Sequence, residues 1–236
     1  MGVRREAMAT FPMCSKSSAD LRKINSGPAI WLDTGSRRHI GIAAMSKFLN
    51  QLYQEHRMIA AVLHGMQYLI DTHREKGTRV DPKVFRAMLY YLDVFPERHH
   101  HQKEERYLFA ILRRRSEAAD PVLTRLSKEH EAGEHRIKAL EQTFLRYEEG
   151  GEHEFHAFAD EAREFITGYL DHMHREETEI MPLAERVLKH EDWVDIEIAF
   201  ALDRDPLHGV DPGDYEKLFS RIVNLAPPPI GFGPIA

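Results

Sequence analysis

His100-His101-Gln102-Lys103-Glu104-Glu105 and His172-Met173-His174-Arg175-Glu176-Glu177 are two copies of one pattern, His-x-x-(Lys/Arg)-Glu-Glu. A Glu-His pair precedes each copy, Glu55-His56 the first and Glu129-His130 the second. His100 lies 44 positions after His56, and His172 lies 42 after His130. On a helix, His and Glu four residues apart share a face, so one cation can touch both. The repetition therefore predicts two similar helical hairpins facing each other, a pseudo-two-fold design suited to a pair of metal ions.

The flanking sequence carries the helical period. Leu49, Leu52, His56, Ile59, Leu63, Met66 and Ile70 alternate steps of three and four, one buried stripe of a first helix beginning near Met45. Gly77 and Asp81-Pro82 close it and open a second, Pro82 to Arg115, with Phe85, Leu89, Leu92, His100, Glu104, Leu108 and Ile111 inward. Pro96 predicts a kink just before His100. Asp120-Pro121 starts a third helix with Leu123, Leu126, His130, Gly133, Ile137, Leu140 and Phe144 on its stripe. After Gly150-Gly151, the fourth turns Phe155, Phe158, Ala162, Phe165, Tyr169, His172, Glu176, Ile180, Leu183 and Val187 inward. Short loops between long amphipathic helices predict an all-α, up-down-up-down four-helix bundle over residues 45–190. Residues 1–44 show no sustained periodicity and read as a poorly ordered N-terminal extension, with Met45 an alternative start. Residues 191–236 read as a C-terminal helical extension, with helices at Glu191 to Leu202 and Pro212 to Leu225 and a Pro-rich tail.

Heights sharpen the metal reading. At about 1.5 Å per residue, His56 and His100 both lie roughly 27–28 Å from the end where their helices join, and His130 and His172 are matched in the same way. All four histidines then meet in one layer with Glu104 and Glu176. Burying those carboxylates unpaired would cost several kcal/mol each, a cost that a shared cation removes. His73 is about 25 Å from His56 along its helix, outside the layer. His64, His135, His153 and His156 lie off the stripes or at other heights, whereas His99, His101 and His174 flank the candidate ligands. The choice between His100 and His101 stays open, because His101 pairs with Glu105 at the same spacing and Pro96 can shift the helix phase.

Composition excludes other classes. Cys14 is the single cysteine, which removes intrachain disulfides and thiolate metal sites, while 15 histidines make nitrogen and oxygen ligation available. A net charge of -6 gives no reason to expect nucleic acid as a partner. No apolar run approaches the roughly 18 residues of a membrane span, and the N-terminus has no signal-peptide core, so the expected location is the cytoplasm.

These residues resemble the hemerythrin-like, HHE cation-binding family across about residues 46 to 188. The resemblance implies two iron ions with an oxo or hydroxo bridge, His56, His100, His130 and His172 as ligands, and Glu104 and Glu176 as bridging carboxylates. The chain departs from oxygen-carrying members by placing Glu134, not histidine, four residues after His130, and by ending on His172-x-x-x-Glu176. Glu134 is thus a seventh candidate ligand, one that would favour ferric iron over reversible oxygen carriage. Two six-coordinate ions offer about 12 positions, of which four histidines, two bridging carboxylates and one oxygen bridge fill about 10. The remaining positions suit a diatomic gas or peroxide, in sensing or stress defence, with Tyr53, His101 and Tyr169 around the ligands. Alternatives are an iron buffer, donor or repair protein without turnover and, last, a structural zinc site. The C-terminal extension is a candidate homodimer element.

Overall fold

The computed structural model describes residues 46–202 and 212–233, and within them the chain is all-α, with no β-strand. The N-terminal extension and the linker at 204–209 lie outside the described residues. Helix α1 (Lys47–Lys76) starts where the Ser46 side chain accepts a hydrogen bond from the Leu49 N–H, satisfying one of the orphan donors of the first turn. It stops at Gly77, whose φ of 65° is left-handed and whose N–H returns to the His73 carbonyl. Asp81 caps the next helix through the Lys83 N–H, and Pro82 occupies its first turn, where no N–H partner is needed.

That second rod is helical throughout but not of one kind. Helix α2 (Pro82–Leu92) passes into a π-helical stretch (Asp93–His100), one α-turn α3 (His101–Lys103), a second π-helical stretch (Glu104–Phe109) and α4 (Ala110–Arg115). The sequence predicts a kink at Pro96; the chain instead widens its turns there. Proline lacks an N–H and crowds the carbonyl four residues back, and a π-turn relieves both by adding a residue to the turn. The His101 N–H accordingly bonds to the Pro96 carbonyl, five residues back.

Helix α5 (Asp120–Gly150) ends at Gly151, where φ is 84°. The last rod is α6 (Phe155–Arg175), a π-turn (Glu176–Ile180) and α7 (Met181–Val187). The π-turn advances the helix phase, so Met181, Ala184 and Leu188 are buried, whereas the expected Leu183 and Val187 are only partly covered. Helix α1 packs on α2 and α6, α5 packs on the same two, and α4 also meets α7.

The apolar interior comes in two clusters. One gathers Ile59, Leu63, Phe85, Leu140, Phe158 and Phe165, and the other Phe48, Leu52, Phe109, Leu126, Met181 and Ala184. Between them lies a layer of buried His and Glu. Helices α8 (His190–Leu202) and α9 (Pro212–Leu225) pack on this body. Arg115 holds Asp192 at 2.6 Å, Phe200 meets Phe48 and Tyr107 edge-on, and Tyr215 of α9 lies 4.7 Å from the Phe95 ring. The extension thus backs the π-helical stretch that ends at His100.

Candidate metal centre

Four histidines from four rods turn their Nε2 atoms into the layer as two pairs. His56 Nε2 is 3.0 Å from His100 Nε2, and His130 Nε2 is 3.0 Å from His172 Nε2. Two adjacent donors on an octahedral ion with metal–imidazole bonds of about 2.1 Å stand about 3.0 Å apart, against about 3.4 Å on a tetrahedral one. Two carboxylates stand between the pairs. Glu104 sets Oε1 at 3.6 and 3.5 Å from His56 and His100 and Oε2 at 3.7 Å from His130. Glu176 sets Oε2 at 3.4 Å from His56 and Oε1 at 3.6 and 3.2 Å from His130 and His172. Each carboxylate therefore offers one oxygen to each histidine pair. All four of these oxygens are buried without a hydrogen-bond partner. Orphaned anionic oxygens at that depth are strongly unfavourable, and cations shared between the pairs would satisfy them. The residues present fit a two-metal centre.

The outer nitrogens of the same histidines are all held by carboxylates. His56 Nδ1 meets Glu177 at 2.9 Å, His100 meets Glu55 at 2.8 Å, His130 meets Glu105 at 3.0 Å and His172 meets Glu129 at 2.9 Å. An Nδ1–H donated outward leaves the Nε2 lone pair facing inward and fixes the ring. Both Glu-His pairs and both Glu-Glu pairs of the repeat are used in full, one glutamate inside or beside the histidine and the other outside. The basic residue of each copy then anchors one outer carboxylate: Lys103 contacts Glu55, and Arg175 holds Glu129 at 2.9 Å. Lys103 is buried, its ammonium over the Phe95 and Phe200 rings.

Charge follows this arrangement. Burial opposes protonation of His56, but Glu104, Glu177 and Glu176 outweigh it and hold the ring up to about 10. Burial is likewise overcome at His130, by Glu105 and Glu176, up to about 9, and at His172, by Glu176 and Glu129, up to about 10. Burial would raise Glu55, yet His100 and Lys103 bring it down to about 2. Without metal, protons on the rings offset the carboxylates.

One side of the layer holds more than the expected residues. His101 joins Glu104, His130 and His172 in a group whose donor atoms all lie within 4.8 Å of one another, as His56, His100, Glu104 and Glu176 do on the other side. His100 and His101 both face the layer, one in each group, and π-helical stretches lie on either side of the short α-turn that starts at His101. His101 stacks on His130, with ring centroids 4.1 Å apart, and its Nε2 bonds to the Tyr169 hydroxyl at 2.7 Å. Its Nδ1 has no hydrogen-bond partner and lies 3.4 Å from Glu97 Oε2. Both Glu97 oxygens are also unpartnered, and the side chain is 2% exposed. Burial pushes the Glu97 carboxyl up to about 7, against the pull of His130 and His172.

Glu134 departs from expectation. Its side chain is 61% exposed and pairs with Lys138 on the surface of α5, outside both donor groups. Tyr53 is half-buried against the second apolar cluster, whereas Tyr169 sits in the layer. His73 is buried elsewhere, on Glu152 and Phe155. Glu97 escapes the sequence reading, although its spacing of four to His101 was a signal.

Residues 47–184 match a family model described as the Hemerythrin HHE cation binding domain. No curated protein matches the chain.

Proposed function

The chain belongs to the hemerythrin HHE cation-binding family, and from that premise we propose that it is a non-haem di-iron protein that binds or reacts with dioxygen, peroxide or nitric oxide, in sensing or stress defence. The four rods are read as an up-down-up-down bundle around the centre. The observation that carries the proposal is the pair of buried carboxylates, each offering one oxygen to each of two histidine pairs. Hard oxygen and imidazole donors in excess of four favour iron over a structural zinc ion.

His56, His100 and, on the other side, His130 and His172 would hold the ions, with Glu104 and Glu176 between them and His101 beside the second pair. Bound iron supplies Lewis acidity and one-electron redox chemistry. Glu55, Glu105, Glu129 and Glu177 keep each ring in the tautomer that presents Nε2 inward. The two apolar clusters exclude water above and below the layer, which strengthens every electrostatic contact within it. Tyr169 fixes the His101 ring through its hydroxyl.

The test is metal analysis and visible absorption of protein purified in air, beside a His100→Ala, Glu104→Ala variant. The expected result is two irons per chain, a spectrum that changes with peroxide or nitric oxide, and loss of both in the variant. Iron that leaves readily to a chelator with no spectral response would make the chain a buffer or donor. Zinc alone under iron-replete expression would overturn the iron reading.

A further inference from the structure

The two halves of the site agree at their histidines and bridging glutamates and differ on one flank. Three residues after the Glu-His histidine, the first half has Ile59 and the second has Gly133. Three residues before the next histidine, the first half has Glu97 and the second Tyr169. The differences converge in space. A Cβ on Gly133 would stand 1.9 Å from Glu97 Oε2, and one on Gly168 would stand 2.5 Å from Arg136 Nη2. The wall between α5 and α6 therefore lacks two side chains, and the ends of two flexible side chains fill the space, Glu97 from inside and Arg136 from outside.

A cavity of about 20 Å³ lies at this gap, bounded by His101, Tyr169, His172, Phe165 and the two glycines. One water molecule needs roughly 10–15 Å³ by the same measure, so the space admits a molecule of that size and not a metabolite. Arg136 at the outer end is held loosely. It lies over the Phe165 ring and donates one long bond, 3.4 Å, to the Glu164 carbonyl. Outside it, a solvent-open depression is rimmed by Arg163, Asp160 and Asp171. At the inner end, the Glu97 carboxylate is buried with no hydrogen bond to either oxygen, its nearest charged or polar contact being His101 Nδ1 at 3.4 Å. Neither side chain is locked, so each can swing.

We propose that the gap at Gly133 and Gly168 is the entry through which a small ligand of two or three heavy atoms, of the azide, peroxide or dioxygen class, reaches the His101–His130–His172 side of the centre. Arg136 is its outer gate and Glu97 its inner one. Arg136 attracts an anion to the mouth, and Glu97 holds the inner space until the ligand displaces it. The inference rests on the metal-binding reading, and one arm of its test is independent of metal.

Azide is the probe. Iron-loaded full-length protein is mixed with azide and followed by stopped-flow absorbance, with Glu97→Ala, Arg136→Ala and Gly168→Leu alongside. Removing the Glu97 gate is expected to raise the association rate at least about tenfold with iron content unchanged, and Gly168→Leu to lower it by a similar factor. Arg136→Ala unblocks the mouth but removes its charge, so it is expected to abolish most of the dependence of the rate on salt. Equal rates in all four proteins would overturn the proposal. So would loss of iron from Glu97→Ala, which would make Glu97 a ligand instead of a gate. The independent arm labels metal-free Glu97→Cys protein, in a Cys14→Ser background, with hydrogen peroxide, which has two heavy atoms and oxidises the introduced thiol to a sulfenic acid with release of water, followed by mass spectrometry. Adding Gly168→Leu is expected to slow labelling about tenfold; an unchanged rate would sink the passage even where iron binds. Failure of the wild-type chain to hold iron would sink the metal reading alone, and the labelling would still decide the passage.

Discussion

Glu55→Gln separates the two tasks that the outer carboxylate performs. Glu55 accepts from His100 Nδ1 at 2.8 Å and contacts the buried Lys103 ammonium. Glutamine can still accept one bond from the ring, but it cannot neutralise Lys103. Weakening such a support costs about 10–100-fold in metal affinity, or roughly 1.4–2.7 kcal/mol. Leaving Lys103 buried and unpaired costs about 3–5 kcal/mol of stability, which lowers Tm by roughly 6–20 °C for a chain of this size. The equivalent Glu129→Gln is expected to match the first loss but not the second. Arg175 and Glu129 are 14% and 28% exposed, so water takes over their pairing and the stability cost stays below about 1 kcal/mol. Adding Lys103→Met to Glu55→Gln should recover the stability without recovering the affinity. Competition with a chromophoric chelator reads the affinity, and thermal unfolding of the metal-free protein reads the stability. Equal Tm losses in the two single variants, or affinity restored by Lys103→Met, would refute the division of labour.

Three further outcomes are expected. Metal-free protein should lose stability as pH rises from about 6.5, the ordinary histidine value, towards 9–10, because His56, His130 and His172 hold their protons up to about 10, 9 and 10 in the fold. Metal replaces those protons, so loading near pH 8 in weak buffer should acidify the solution; a Tm of the metal-free protein that is flat across this range would count against the charge arrangement. Glu134→Ala should leave metal content and affinity unchanged within about twofold, as expected for a surface Glu–Lys pair, and a tenfold loss measured by chelator competition would restore it as a ligand. Truncation before α8 uncovers Phe48, Tyr107 and Phe95 and should lower Tm and speed metal loss from the His100 side, read by unfolding and by chelator kinetics.

Six of the inner donors were legible because each is a polar residue on an apolar stripe at a common height. The π-turns were not legible, since no residue pattern marks the change from one turn width to another. They explain both His101 and the shifted stripe of α7. Glu134 lies outside the layer for a simpler reason. At 100° per residue the centre of the α5 stripe lies towards Gly133, roughly 30° from it, and Glu134 falls roughly 70° away on the other side. Spacing from His130 alone suggested a shared face; the whole stripe points Glu134 to water. The outer glutamates were visible as letters of the repeat, but their exchange across the halves, Glu177 to His56 and Glu105 to His130, is a tertiary fact.

The split of the apolar interior into two clusters bears on how the protein comes apart. A polar layer between them gives neither cluster much apolar contact with the other, so in the metal-free chain they are coupled mainly through the helices that run across both. One can then open while the other persists, and amide protons in the two should exchange with different free energies. Ions held by side chains from all four rods would cross-link segments far apart in sequence. Opening either cluster would then strand the ligands, and the two halves of the loaded protein are expected to melt as a single cooperative unit.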